Sequence, residues 1–190
     1  MLQCVRIVRL VRRQKKTIRR YTPAAIGNRF RDLAMSEGIP IDPMKVQKLV
    51  YFAHGWHLGF GKGPLSIDEV QAWRWGPVFP NLYHAVKIWG TGPIMEPIGG
   101  PEVHNGKSRL GKPNVPADMG YADRLTQRVW EVYGPMPTIS LSQLTHEVDG
   151  PRDVIWKKAP GRHGLVIPDP LIRDYFAKKA KDNRANAGVA

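Results

Sequence analysis

Apolar residues recur three and four positions apart along most of the chain, and this spacing predicts helices. Thr22 followed by Pro23 supplies an N-cap and a residue pre-set for the first helical position; Ala25, Ile26, Phe30, Leu33 and Ala34 then share a face until Gly38 stops the run. Asp42-Pro43 repeats the signal. Val46, Leu49, Val50, Ala53, Trp56, His57 and Phe60 follow at i, i+3, i+4, i+7 spacing, the strongest helix in the chain and one predicted to be central and buried. After GFGKGP, the segment from Leu65 to Trp73 reads as short extended pieces or a hairpin arm. Pro80 then opens a helix through Leu82, Tyr83, Val86 and Trp89 that ends at Gly90.

Residues 91–120 are rich in glycine and proline and read as a loop with one short strand at Ile94 to Ile98. A helix resumes near Tyr121, with Leu125, Val129, Trp130 and Val132 on its apolar side, and ends at Gly134-Pro135. Ser140 and Gln143 match a capping box opening a short helix through Leu141, Leu144 and Val148. Asp149-Gly150-Pro151 breaks it, a short helix carries Val154, Ile155 and Trp156, and Asp169-Pro170 caps a last one through Ile172, Tyr175 and Phe176. The fold class is therefore mainly α: a single helical domain with a small β-hairpin or short antiparallel sheet. No internal repeat is visible.

Composition narrows the function classes. With 42% hydrophobic and 24% charged residues the 190-residue chain fits one soluble domain, and no apolar run reaches the roughly 18 residues a membrane span needs. Its lone cysteine, Cys4, excludes an intrachain disulfide framework and cysteine-rich zinc modules, and suits the reducing cytosol. The net charge of +13 is concentrated: residues 1–20 hold eight basic residues and no acid, leaving 21 basic against 16 acidic residues, or +5, for the remainder. This basic arm can be read as a nucleic-acid grip, a membrane-surface segment, a transit-like leader, or a disordered or mis-assigned start. The expected division is the arm at 1–20, a folded domain at 21–178 and a frayed tail at 179–190, with a cytoplasmic location and no membrane partner.

Candidate chemistry is sparse. His54 and His57 lie three apart on the central helix, but no third ligand stands at a supporting spacing and no HExxH occurs, so they read as core or boundary histidines before they read as a metal pair. His146-Glu147 is one isolated pair without an identifiable partner for acid–base work. No GxSxG and no GxxxxGK[ST] occurs, and GFGKG at 59–63 follows a helix where a phosphate loop should follow a strand. No catalytic residue, metal or cofactor is expected. The stretch AWRWGPVFPNLY at 72–83 has two readings. In an extended segment Trp73 and Trp75 would share one side with Arg74 opposite, giving a rigid corner pinned by its rings; the competitor is an exposed aromatic and cationic lip that grips a partner.

The order KVQKLVYFAHGWHL, then PLSIDEVQAWRWGPVFPNLYHAVKIWG, then YGPMPTISLSQLTHEVDGP, closing with IPDPLIRDYF, resembles the Panacea domain, the SocA-like antitoxin family, also met among phage-associated proteins as GepA. The likeness covers about residues 22–178. The helix motif falls on Lys48, Leu49, Tyr51, Phe52, Ala53, Gly55 and Trp56. The corner motif falls on Ala72, Trp73, Gly76, Pro77, Val78, Leu82 and Tyr83, and the later one on Leu141, Ser142, Leu144, Thr145 and His146. The resemblance implies a non-enzymatic, mainly helical antitoxin that neutralises a cognate toxin, by direct binding in some members and by presenting the toxin to a cellular protease in others. Arg74, Trp75 and Tyr83 are the partner-binding candidates. Where the family pattern commonly has Pro-Trp after its LTH motif, this chain has Pro151-Arg152, with Trp156 further on. Two rival readings are a nucleic-acid-binding regulator using residues 1–20 and a metal-dependent hydrolase built on His54 and His57.

Overall fold

The computed structural model describes residues 19–187 apart from 105, 106, 119, 160, 161 and 163. Most of the basic arm, residues 1–18, lies outside the described residues. Helix α1 (Pro23–Ser36) leads to the central helix α2 (Pro43–Gly59). Both start as their sequences predict, each with proline at the start of its first turn. The Thr22 hydroxyl accepts from the Ala25 N–H at 3.1 Å and the Asp42 carboxylate from the Lys45 N–H at 2.8 Å, caps worth about 1 kcal/mol each. Helix α2 is buried on every side, so its polar residues Lys45, Gln47, Lys48, His54 and His57 are interior groups that need partners.

Around it stand α3 (Pro80–Val86, continued by a 3₁₀ turn to Trp89), α4 (Tyr121–Tyr133), α5 (Thr138–Leu144), α6 (Pro151–Lys158) and α7 (Asp169–Ala187). One hydrophobic core joins them through Ile26, Phe30, Leu49, Trp56, Leu125, Trp130 and Phe176. Helix α7 lies tight against α2 because Gly55 has no side chain: a Cβ there would sit 2.2 Å from the Phe176 ring. The helix expected to fray from about Lys178 continues to Ala187, with Ala180 buried and Lys179 bonded to Glu147.

Two small antiparallel sheets complete the fold, which is mainly α. Strand β1 (Val70–Trp73) pairs with β2 (Gly76–Val78) in the register Gln71 with Val78 and Trp73 with Gly76. On its other edge β1 pairs with β5 (Leu165–Ile167), giving the order β2-β1-β5. A separate hairpin joins β3 (Gly100–His104) to β4 (Lys107–Gly111). The strand expected at Ile94 to Ile98 does not form. Asn28 of α1 accepts from the Ile98 N–H and donates to the Ile98 and Pro113 carbonyls, while the Ile94 N–H is taken by the Ile41 carbonyl. Backbone groups already satisfied in this way have no need of a ladder. The capping box expected at Ser140 is also absent: α5 begins at Thr138, whose hydroxyl binds Asp42, and Val148 lies beyond its end, exposed rather than packed.

Candidate protein-docking corner

The three segments that carry the sequence motifs meet at the turn between β1 and β2. Trp73 and Gly76 are cross-strand partners, so Arg74 and Trp75 form the two-residue tip between them. Gly76 takes φ = +106°, a conformation glycine reaches readily, and a Cβ on it would meet the Thr145 hydroxyl at 2.5 Å and the Lys48 ammonium at 2.7 Å. The side on which α2 and α5 pack therefore has no room for a side chain.

Helix α2 latches the outgoing strand. The Gln47 amide accepts from the Phe79 N–H at 3.0 Å and donates to the Phe79 carbonyl at 3.2 Å, standing in for a neighbouring strand. Lys48, 1% exposed, points its Nζ at the Pro77 carbonyl at 3.2 Å. Burial without an anionic partner, with Arg152 nearby, pushes its pKa down to about 7. The α5 region latches the tip itself. Ser142 Oγ donates to the Trp75 carbonyl at 3.2 Å. His146 Nε2 lies 3.1 Å from the Arg74 carbonyl while its Nδ1 lies 2.7 Å from the Ser142 carbonyl, so both ring nitrogens face acceptors. From α6, Arg152 donates through Nε to the Trp73 carbonyl at 3.0 Å and through a terminal nitrogen to the Arg74 carbonyl at 2.9 Å. Its guanidinium lies 4.4 Å from the Trp156 ring centre. The departure from the family's Pro-Trp pattern thus becomes a cation that holds the turn, with Trp156 one helical turn later supporting it.

These bonds correct the ring-pinned picture of the corner. Trp73 is half-buried, its ring centre 5.0 Å from that of Tyr83 and its indole N–H donating to Gln71. Trp75 pins nothing: it is 62% exposed, with the Arg74 guanidinium 5.1 Å from its ring centre. Strand alternation stops at Trp73 because the next two residues are the turn, so the two indoles do not share a face. Polar side chains from three helices, not rings, pin the corner. Tyr83, on α3, is 38% exposed. The motif residues Leu49, Tyr51, Phe52, Trp56 and Leu82 are core, and Pro77 is buried in β2.

The other candidates resolve into structural roles. His54 accepts the Ser66 N–H at Nδ1 (3.2 Å), so its Nε2 carries the proton and donates to Asp169 at 3.0 Å. His57 donates from Nδ1 to the Gly63 carbonyl at 2.6 Å and sits edge-on to Tyr121; burial pushes its pKa down to about 4. The two rings serve different elements, and no group of three metal-ligating side chains occurs among the described residues. Glu147 accepts from Tyr175 (2.6 Å) and Lys179 (2.8 Å), tying the LTHE segment to α7. Burial pushes its carboxyl up, but these bonds outweigh it and hold the pKa below the ordinary value. Sequence reasoning missed Gln47 and the carbonyl-holding role of Arg152. The available signal was a run of polar residues on a helix whose every face is buried.

The family model for the SocA-like antitoxins, Panacea domain, matches residues 46–150, which contain the corner apart from Arg152 and Trp156. The chain belongs to this antitoxin family. It is 33% identical to Antitoxin SocA of Caulobacter vibrioides (strain NA1000 / CB15N) over 155 residues, covering 80% of each chain. No solved structure matches. Among the described residues no helix is long and apolar enough to cross a membrane.

Proposed function

We propose that this chain is a non-enzymatic cytoplasmic antitoxin that neutralises a toxin encoded beside it by binding it directly, with the domain at residues 21–178 docking through the β1–β2 tip. The observation that carries the reading is a tip built of exposed Arg74 and Trp75, with Tyr83 nearby, on a backbone whose carbonyls at 73, 74, 75 and 77 are all held by side chains from neighbouring helices. Tryptophan, tyrosine and arginine dominate interface hot spots. A turn already ordered loses little conformational entropy on docking, so more of the contact energy appears as affinity. Other exposed apolar side chains, such as Met35, Met95 and Leu110, lack this combination.

Co-expression with the product of the adjacent reading frame tests the reading. The wild-type chain restores growth, and Trp75→Ala, which leaves the fold unchanged because the ring is solvent-exposed, weakens rescue through a loss of about 2 kcal/mol or more in binding. Full rescue by Trp75→Ala, or a harmless neighbour, refutes it. Toxin level separates the routes: direct inhibition leaves the toxin intact, whereas presentation to a protease depletes it.

A further inference from the structure

The ring-lined face beside the tip has a charge pattern. Lys87 sits one helical turn past Tyr83, its backbone N–H bonded to the Tyr83 carbonyl, so the two share a face of α3. Tyr83 in turn packs on Trp73, the residue before Arg74. Arg74 and Lys87 are both exposed, and neither has an ion-pair partner among the described residues. The acids near the latch are already engaged: Glu147 with Tyr175 and Lys179, and Asp149 and Asp153 with Lys157 at 3.6 and 2.6 Å. Exposed Glu69 lies just before β1. Two exposed cations without an ion-pair partner among the described residues thus stand beside exposed rings of the corner, Arg74 over Trp75 and Lys87 one turn from Tyr83.

We propose that the docking segment of the partner protein is acidic and apolar: carboxylates facing Arg74 and Lys87, and an apolar or aromatic side chain seated on Trp75. This rests on the docking reading above and adds the chemistry of the occupant. Two cations suit one or two carboxylates. A nucleic-acid strand, whose binding draws on many phosphate contacts, would find too few cations here.

The test measures association and dissociation rates between the purified full chain and the product of the adjacent reading frame, at about 0.05 and 0.5 M NaCl. Arg74→Glu/Lys87→Glu should lower the association rate about tenfold or more and remove most of its salt dependence, while Trp75→Ala should mainly speed dissociation. Lys178→Glu/Lys181→Glu, the same charge change on α7 outside this face, should do neither. An unchanged rate and salt slope in the charge-reversal variant, with Trp75→Ala still weakening binding, overturns the acidic partner and leaves the docking site standing. If no tip variant changes either rate, the docking reading itself falls. Competition by a single-stranded oligonucleotide for the same face would assign it to nucleic acid and overturn the proposal.

Discussion

Replacing Lys48 with methionine keeps the length and apolar stem of the side chain and removes its amine. The ordinary lysine pKa of 10.5 falls to about 7 in the folded protein. Between those values the unfolded chain binds one proton that the folded chain does not, so stability rises as pH rises through the window, and the full charging penalty is felt below pH 7. Integrating the linkage for this one group from pH 7 to pH 9 gives a gain of about 2 kcal/mol. The range avoids His57, whose burial makes stability rise with pH between about 4 and 6.5. It also avoids buried Tyr51 and half-buried Tyr121 and Tyr175, whose raised pKa values reduce stability only as pH approaches and passes 10. Urea unfolding of wild type and Lys48→Met at pH 7, 8 and 9 reads the effect as midpoint shifts at constant m. The wild type gains about 2 kcal/mol more than the variant across the range, although the variant carries a pH-independent loss from the unpaired Pro77 carbonyl. Equal slopes would refute the claim that burial holds the pKa of the corner's lysine near 7.

Gly76→Ala loses at least about 2 kcal/mol, because its φ of +106° strains any L side chain and the new Cβ meets Thr145 and Lys48; thermal unfolding measures it. Gly55→Ala costs about 1 to 3 kcal/mol by driving Phe176 away, and Phe176→Leu in the same chain recovers part of that cost, a non-additivity that a double-mutant cycle reads directly. In an NMR titration the His57 ring stays neutral down to about pH 4; a midpoint near the ordinary 6.5 contradicts its buried placement.

The helices were legible because capping and periodicity are local: Thr22-Pro23 and Asp42-Pro43 mark the starts of α1 and α2 in the chain itself. Strand β5 was not, since three residues from Leu165 to Ile167 become a strand only by pairing with β1 nearly a hundred residues earlier. The same limit hid the site. Nothing local distinguishes Trp73, half-buried on Tyr83, from Trp75, in solvent, because the difference is set by where the turn falls and by the α5 and α6 groups that hold it. The spacing from Val46 to Phe60 marked α2 as central and buried, but what Lys48 and Gln47 bind there, the backbone at Pro77 and Phe79, is set by tertiary packing and not by local sequence.

The central claim is that a partner docks on the corner where the three motifs converge. Hydrogen–deuterium exchange on the chain alone and in complex with the product of the adjacent reading frame tests it most directly. The account predicts new protection at residues 73–76 and 80–87. Protection confined to the β3–β4 hairpin or to the surface around Met35 and Met95, with the tip unchanged, would contradict it.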